Sequence, residues 1–223
     1  MIDQTSAASD EQVCFEQCVR VLQQHAFVVI ESALPPALST ALSAQVREMN
    51  QTDFAVAGIG RRAGHKLDER VRRDQISWIE GATEAEREWL GWCSRLQHYL
   101  NQRLLMGLFS FESHFAHYAP GAFYRRHVDA FHQDDNGGGA RRVLSLVAYL
   151  NPGWQRADGG ELLIYEDLSA DPVAVIQPLH GTVVLFLSEE VPHEVAPALS
   201  DRYSIAGWFR VNGSSTARVD ASR

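Results

Sequence analysis

Residues 141–211 read RRVLSLVAYLNPGWQRADGGELLIYEDLSADPVAVIQPLHGTVVLFLSEEVPHEVAPALSDRYSIAGWFRV. Short runs rich in Val, Ile, Leu, Phe and Tyr are broken in it by the turn signals NPGW, ADGG and LHG, the texture of strands joined by tight connections. The same texture extends back to Phe109, through SFESHFAHY and AFYRRHVDAF with an APG turn between them. Eight strands are therefore expected: those two, then RRVLSLVAYLN, GGELLIYE, VAVIQP, GTVVLFLS, HEVAPAL and RYSIAGWFRV. That rhythm fits a closed or double-layered antiparallel sheet, a jelly roll or a related β-barrel. The tract DDNGGG at 134–139 reads as a flexible loop between strands.

Upstream the apolar period changes. From Asp10, Val13, Cys14, Cys18, Val21 and Leu22 fall at helical spacing, with Asp10 as the expected N-cap. Phe27 to Ile30 reads as a strand, Pro35 to Met49 as a second helix with proline in its first turn, and Thr83 to Leu104 as a third with Trp89, Leu90, Cys93, Leu96 and Leu100 on its apolar face. The expected class is α+β, mainly β in the C-terminal half, a double-stranded β-helix with the N-terminal helices packed on one sheet. Residues 10–211 form one domain in this reading, 10–108 as helical support and covering loop and 109–211 as jelly-roll core. Residues 1–9 and 212–223 are expected to be flexible ends.

A chain of 223 residues with 45% hydrophobic residues can bury a sizeable core. Its longest apolar runs, Leu144–Leu150 and Val183–Leu187, fall short of the roughly 20 residues of a membrane span, and the polar N-terminus has no secretory pattern. Three cysteines, Cys14, Cys18 and Cys93, are too few and too odd in number for a disulfide framework, which points to a reducing, cytoplasmic setting; Cys14 and Cys18 read as core residues of the first helix. The net charge of −8 argues against nucleic acid as a partner. One segment runs the other way: residues 61–73, RRAGHKLDERVRR, carry six Lys or Arg, either as a solvated loop or as a contact surface for an acidic partner.

The chemistry gathers around three side chains. His127 and Asp129 lie one residue apart in a strand-like segment, so both face the same side. His193, at the start of a later strand after the SEEVP turn, is the candidate third ligand. Two imidazoles and one carboxylate make a facial triad that suits Fe(II) and leaves coordination positions open for oxygen chemistry. Arg202 follows His193 by nine residues on the strand RYSIAGWF. If it faces inward it is suited to hold a remote carboxylate; otherwise it is a surface residue paired with Asp201. His114 and His117 point to opposite faces of one strand, and His132 and His180 lie in turns, so none of them is read as a ligand.

RRDQISWIEG at 72–81, YAPGAFYRRHVD at 118–129, YLNPGW at 149–154, GGEL at 159–162, VPHEV at 191–195 and DRYSI at 201–205 occur in one order in which, with their spacing, the chain resembles the iron- and 2-oxoglutarate-dependent prolyl 4-hydroxylases. The likeness spans roughly Phe54 to Arg210 and is greatest to the hypoxia-inducible-factor prolyl hydroxylases and their bacterial relatives. The resemblance implies that His127, Asp129 and His193 hold Fe(II), and that Arg202 anchors 2-oxoglutarate. Tyr118 and Tyr149 would border its pocket, although either also reads as a core aromatic. It further implies that Tyr124 lies near the metal and the substrate proline, that Arg72 and Trp78 belong to a segment covering the substrate, and that Asp74 and Arg142 form an ion pair seating it. Gly58, Gly60 and Gly64 would let the basic segment move as a lid. The chain departs from the animal enzymes at Ala206, where they carry a hydroxyl residue, while the retained Asp129 argues against a halogenating relative.

The implied reaction consumes O2 and 2-oxoglutarate, releases succinate and CO2, and places a hydroxyl on a prolyl residue of a protein, trans at C4. Ascorbate is an additional implied cofactor, oxygen sensing an implied role, and elongation factor Tu the leading candidate substrate through the bacterial relatives. Two other readings fit the same residues: an oxygenase of a small molecule such as free proline, and a metal-binding sensor without catalysis.

Overall fold

The computed structural model describes residues 4–57, 70–130, 140–166 and 169–212. The glycines at 58, 60 and 64, most of the basic segment, His132, the DDNGGG tract and the tail from 213 onward lie outside them.

Three helices precede most of the strands: α1 (Gln4–Leu22), α2 (Pro36–Glu48) and α3 (Glu84–Leu104). The strands are β1 (Phe27–Ile30), β2 (Ala55–Val56), β3 (Gln75–Trp78), β4 (Ser110–Tyr118), β5 (Tyr124–His127), β6 (Arg141–Tyr149), β7 (Leu162–Ile164), β8 (Ala174–Ile176), β9 (Val183–Leu187), β10 (His193–Val195) and β11 (Arg202–Val211). All eight strands expected after Phe109 form. The first helix starts earlier than expected: Asp10 lies inside α1, which begins at Gln4. Ala7 and Ala8 favour the helix, and a capping type of residue does not stop a helix whose preceding residues can continue it.

A seven-stranded sheet in the order β1-β9-β6-β11-β4-β3-β2 faces a four-stranded sheet in the order β5-β10-β7-β8, all antiparallel. This is the double-layered jelly roll, with helices on the outer face of the larger sheet. Strand alternation builds both cores. Phe115, Leu144, Leu146, Val183, Leu185, Ile205 and Phe209 meet the helices, while Ala116, Tyr149, Val184 and Phe186 face the smaller sheet and pack with Leu162, Ile164 and Val195. β9 is apolar throughout because both of its faces are covered, so its sequence shows no alternation.

The helices supply complementary stripes: Cys14, Phe15, Cys18 and Val19 from α1, Leu38, Leu42 and Val46 from α2, and Trp89, Trp92, Cys93, Leu96 and Leu100 from α3. α3 is fixed at its start. Thr83 Oγ1 accepts from the Glu86 N–H (3.1 Å), and Glu86 accepts in turn from the Gly81 and Ala82 N–H groups (3.0 and 2.8 Å). Such a cap stabilises by about 1 kcal/mol. No helix among the described residues is long and apolar enough to cross a membrane.

Gly207 sits where β11 passes under this layer. A Cβ there would lie 2.5 Å from Cζ of Phe111, whose ring packs against Phe209 at 4.6 Å between centroids. The Gly207→Ala variant is expected to lose about 1–3 kcal/mol of stability through overpacking, seen as a lower thermal midpoint by circular dichroism. An unchanged midpoint would show that the ring layer yields freely.

Candidate active site

The site is assembled where β5 meets β10. His193 lies opposite His127, and Val195 opposite Tyr124, so three steps along β5 are matched by two along β10. This β-bulge lets Tyr124 and His127 face the same side although they are three positions apart, a spacing that puts side chains on opposite faces of a regular strand. Their rings stack at 3.5 Å between centroids with 17° between planes. Asp129 lies just past β5, its N–H donating to the Ser188 carbonyl (3.0 Å).

Backbone carbonyls orient both imidazoles. Nδ1 of His127 lies 2.8 Å from the Arg125 carbonyl and Nδ1 of His193 lies 3.0 Å from the Val191 carbonyl. A carbonyl only accepts, so each Nδ1 carries the hydrogen and each Nε2 keeps a lone pair for the site. Those Nε2 atoms stand 3.6 and 3.8 Å from Asp129 Oδ1, and the three ligand atoms lie within 4.8 Å of one another. Burial pushes His193 down to about 4, which keeps it neutral. Burial alone would raise Asp129, but the two imidazoles and a hydrogen bond from Ser145 outweigh it and hold the carboxyl well below its usual range. Ser145 Oγ donates to Asp129 Oδ2 (2.6 Å) and lies 2.9 Å from Ser188 Oγ. Two imidazole nitrogens and one carboxylate oxygen fit a divalent ion of the Fe(II) type.

Arg202 opens β11 on the same cavity, which encloses about 640 Å3. Its side chain is 1% exposed, with Nε donating to the Gly160 carbonyl (2.8 Å) and Nη1 to Ser204 Oγ (3.2 Å). Among the described residues no carboxylate pairs with it; Asp201, the surface partner considered from sequence, binds His117 at 2.7 Å instead. The guanidinium lies 4.8 Å from the Tyr118 ring and 5.2 Å from the Tyr149 ring. Among the described residues the buried Tyr149 hydroxyl has no hydrogen-bond partner. A buried cation without an anion and a buried donor without an acceptor both fit a small dicarboxylate with one end at Arg202. The GGEL motif gains a physical reason here. Gly159 and Gly160 both have positive φ (66°), and a Cβ on Gly160 would strike Arg202 Cδ at 2.9 Å.

The covering residues are placed differently. Trp78 is half exposed and packs edge-on against His114 at 5.2 Å. Asp74 does not pair with Arg142: it accepts both Nε and Nη2 of Arg72 (2.7 and 2.6 Å), its neighbour on the same side of one segment. Arg142 stacks on Trp208 at 3.6 Å and bonds Glu112 (2.8 Å), which also takes Arg210 (2.8 Å). Strand register places these two arginines side by side, so one carboxylate serves both. Arg72 lies over the Tyr124 ring at 4.4 Å, giving a column from Asp74 through Arg72 and Tyr124 to His127.

His114 lines the cavity as well, held down at about 4 by burial, but stands outside the triad. His117 stacks on Tyr203, and the three cysteines are buried and free. Sequence reasoning missed Ser145, Gly160 and Trp208. The signal for two of them was parity: Ser145 shares a face of β6 with Tyr149, and Trp208 shares a face of β11 with Arg202, Ser204 and Ala206.

Two variants probe this geometry. Ser145→Ala removes the donor to Asp129 and is expected to weaken divalent-ion binding about 10–100-fold, read by titrating the apo-protein with Mn(II). Gly160→Ala is expected to raise the dissociation constant for 2-oxoglutarate, measured by calorimetry, while leaving Mn(II) affinity near wild type. Equal losses of both ligands would place Gly160 in general folding.

The sequence family described as the 2OG-Fe(II) oxygenase superfamily matches residues 113–210. A crystal structure of a Pseudomonas putida prolyl-4-hydroxylase is 40% identical with a TM-score of 0.77, covering 89% of this chain and 99% of that one. A Trichoplax adhaerens prolyl hydroxylase, solved in complex with a peptide fragment of the hypoxia-inducible-factor oxygen degradation domain, is 28% identical, with a TM-score of 0.77 and 93% of each chain covered. Mouse Egl nine homolog 1 is 28% identical over 92% of this chain, which spans about half (52%) of that relative's length. An identity of 40% that runs through nearly the whole of a solved prolyl-4-hydroxylase reflects common descent, and this chain belongs to the 2OG-Fe(II) oxygenase superfamily, among its prolyl hydroxylases.

Proposed function

We propose that this chain is a cytoplasmic Fe(II)- and 2-oxoglutarate-dependent dioxygenase that places a hydroxyl trans at C4 of a prolyl residue in a protein. The observation that carries the reading is Arg202, a buried cation that no carboxylate of the described residues pairs with, in the same cavity as the His127–Asp129–His193 cluster. The likeness to a prolyl-4-hydroxylase and to an enzyme solved with a protein-derived peptide supports the choice of a prolyl residue in a polypeptide. The resemblance to bacterial members makes elongation factor Tu the leading substrate candidate.

In this mechanism His127, Asp129 and His193 would hold the iron, which with 2-oxoglutarate and O2 would supply the oxidation of an unactivated C–H bond. The protein does the positioning. Arg202 binds the distal carboxylate through charge-assisted hydrogen bonds, and the Tyr149 hydroxyl donates to the same group. Tyr118 closes the pocket under the guanidinium. Ser145 keeps the second oxygen of Asp129 occupied, so that Oδ1 stays aimed at the metal. Tyr124 and Trp78 flank the open side, where the proline ring enters, and Arg72 braces Tyr124 from behind.

The test couples succinate release to the gain of one oxygen mass on elongation factor Tu, on its proline-containing peptides and on free proline. Wild type is expected to modify a polypeptide proline stoichiometrically with succinate, and Arg202→Gln to lower kcat/KM for 2-oxoglutarate by about 100-fold or more, consistent with loss of a buried charge-assisted pair. Oxygen incorporated only into free proline would move the substrate to the small-molecule class.

A further inference from the structure

One polar group of the cavity belongs neither to the triad nor to the Arg202 pocket. His114 lies on β4 opposite Trp78 of β3 and Ala206 of β11, and alternation turns it to the same side as Ala116 and Tyr118, toward the site. Only 4% of it is exposed. Its ring lies between two indoles: Trp78 meets it edge-on at 5.2 Å, and Trp208 lies 5.4 Å away at 56°. Nδ1 is 3.1 Å from the Phe115 carbonyl. Burial keeps this imidazole neutral near pH 7, so its single hydrogen sits on Nδ1, where a carbonyl can accept it, and Nε2 carries a lone pair. Among the described residues nothing donates to that lone pair.

A buried acceptor among aromatic rings costs free energy until it meets a donor. The charge of that donor is constrained as well. A neutral imidazole offers nothing to a carboxylate, and Arg142, which stacks on Trp208 beside it, is balanced by Glu112. This wall therefore suits a neutral N–H. A polypeptide presents one at every residue except proline, which has none of its own. With the target proline between Tyr124 and Trp78, the nearest main-chain donors belong to the residues on either side of it, about 3.3 Å away along an extended chain. Trp78 borders both that entrance and His114. We infer that Nε2 of His114 accepts the main-chain N–H of a residue adjoining the target proline, which makes His114 a specificity-determining residue of the site. This inference rests on the reading of the site as a prolyl hydroxylase of polypeptides. It implies selection against consecutive prolines: a second proline at the recognised position has no hydrogen to give and leaves the imidazole unpaired.

The test uses the full chain with Mn(II) and 2-oxoglutarate under argon, and fluorescein-labelled peptides of one sequence around a single proline, followed by fluorescence anisotropy. In two of them an ester oxygen replaces the N–H of the residue before or after that proline. Wild type is expected to bind one of the two esters about fivefold or more weakly than the all-amide peptide, the size of one hydrogen bond. His114→Phe keeps an aromatic ring between the indoles and is expected to bind that ester and the amide equally. His114→Gln, whose side-chain oxygen can accept, is expected to recover part of the preference that His114→Phe loses. Affinities for Mn(II) and 2-oxoglutarate near wild type report that each variant is folded. Equal binding of all three peptides by wild type overturns the proposal. So does an ester penalty that persists undiminished in His114→Phe, the result expected of a histidine that only packs. Admitting oxygen and Fe(II) separates the two readings: amide-selective binding without oxygen gain on any peptide would sink the hydroxylase reading and leave the His114 contact standing.

Discussion

The pairing of β10 with β5 is the contact on which the site depends. It sets His193 opposite His127, and the bulge in β5 turns Tyr124 to the same side. Without that register the two imidazoles would belong to unrelated strands. The larger sheet then secures the third ligand, since Asp129 is held by the Ser188 carbonyl at the end of β9 and by Ser145 on β6. The triad therefore spans both layers of the jelly roll, and its geometry is as rigid as the packing between them.

A second constraint is electrostatic. Burying the guanidinium of Arg202 without a carboxylate would cost several kcal/mol in the absence of a ligand. The structure offsets part of this with the Gly160 carbonyl, the Ser204 hydroxyl and two aromatic faces. The nearby arginines are treated differently. Arg72 is balanced by Asp74, and Arg142 shares Glu112 with Arg210, so among the described residues Arg202 is the cavity-lining arginine that no carboxylate balances. The Asp74–Arg142 pair implied by the family likeness gives way because each partner has a nearer one along its own strand or across the sheet.

Much of the fold was legible. β1, β4 and β11 form over the residues whose patterns announced them, and α3 begins just after Thr83, the N-cap of its first turn. The triad and Arg202 were legible because their residue types are unusual for inward positions of strands. The supporting groups were harder to see. Serine and glycine are common in strands and turns, so nothing in Ser145 or Gly160 marks a role until a neighbour is known. The start of α1 was misread because Asp10 is as able to sit within a helix as to cap one when the residues before it also favour the helix.

By itself the sequence determined the alternation of apolar residues, the turns between strands, and which few side chains have the chemistry a metal or anion site would need, because these follow from local propensity and residue chemistry. Only the tertiary structure decided which groups meet: the register that joins His127 to His193, the serine behind Asp129, the partner of Asp74, and the indoles that flank His114. Those depend on pairing between segments distant along the chain. A shift of one residue in such a pairing would turn every side chain to the opposite face.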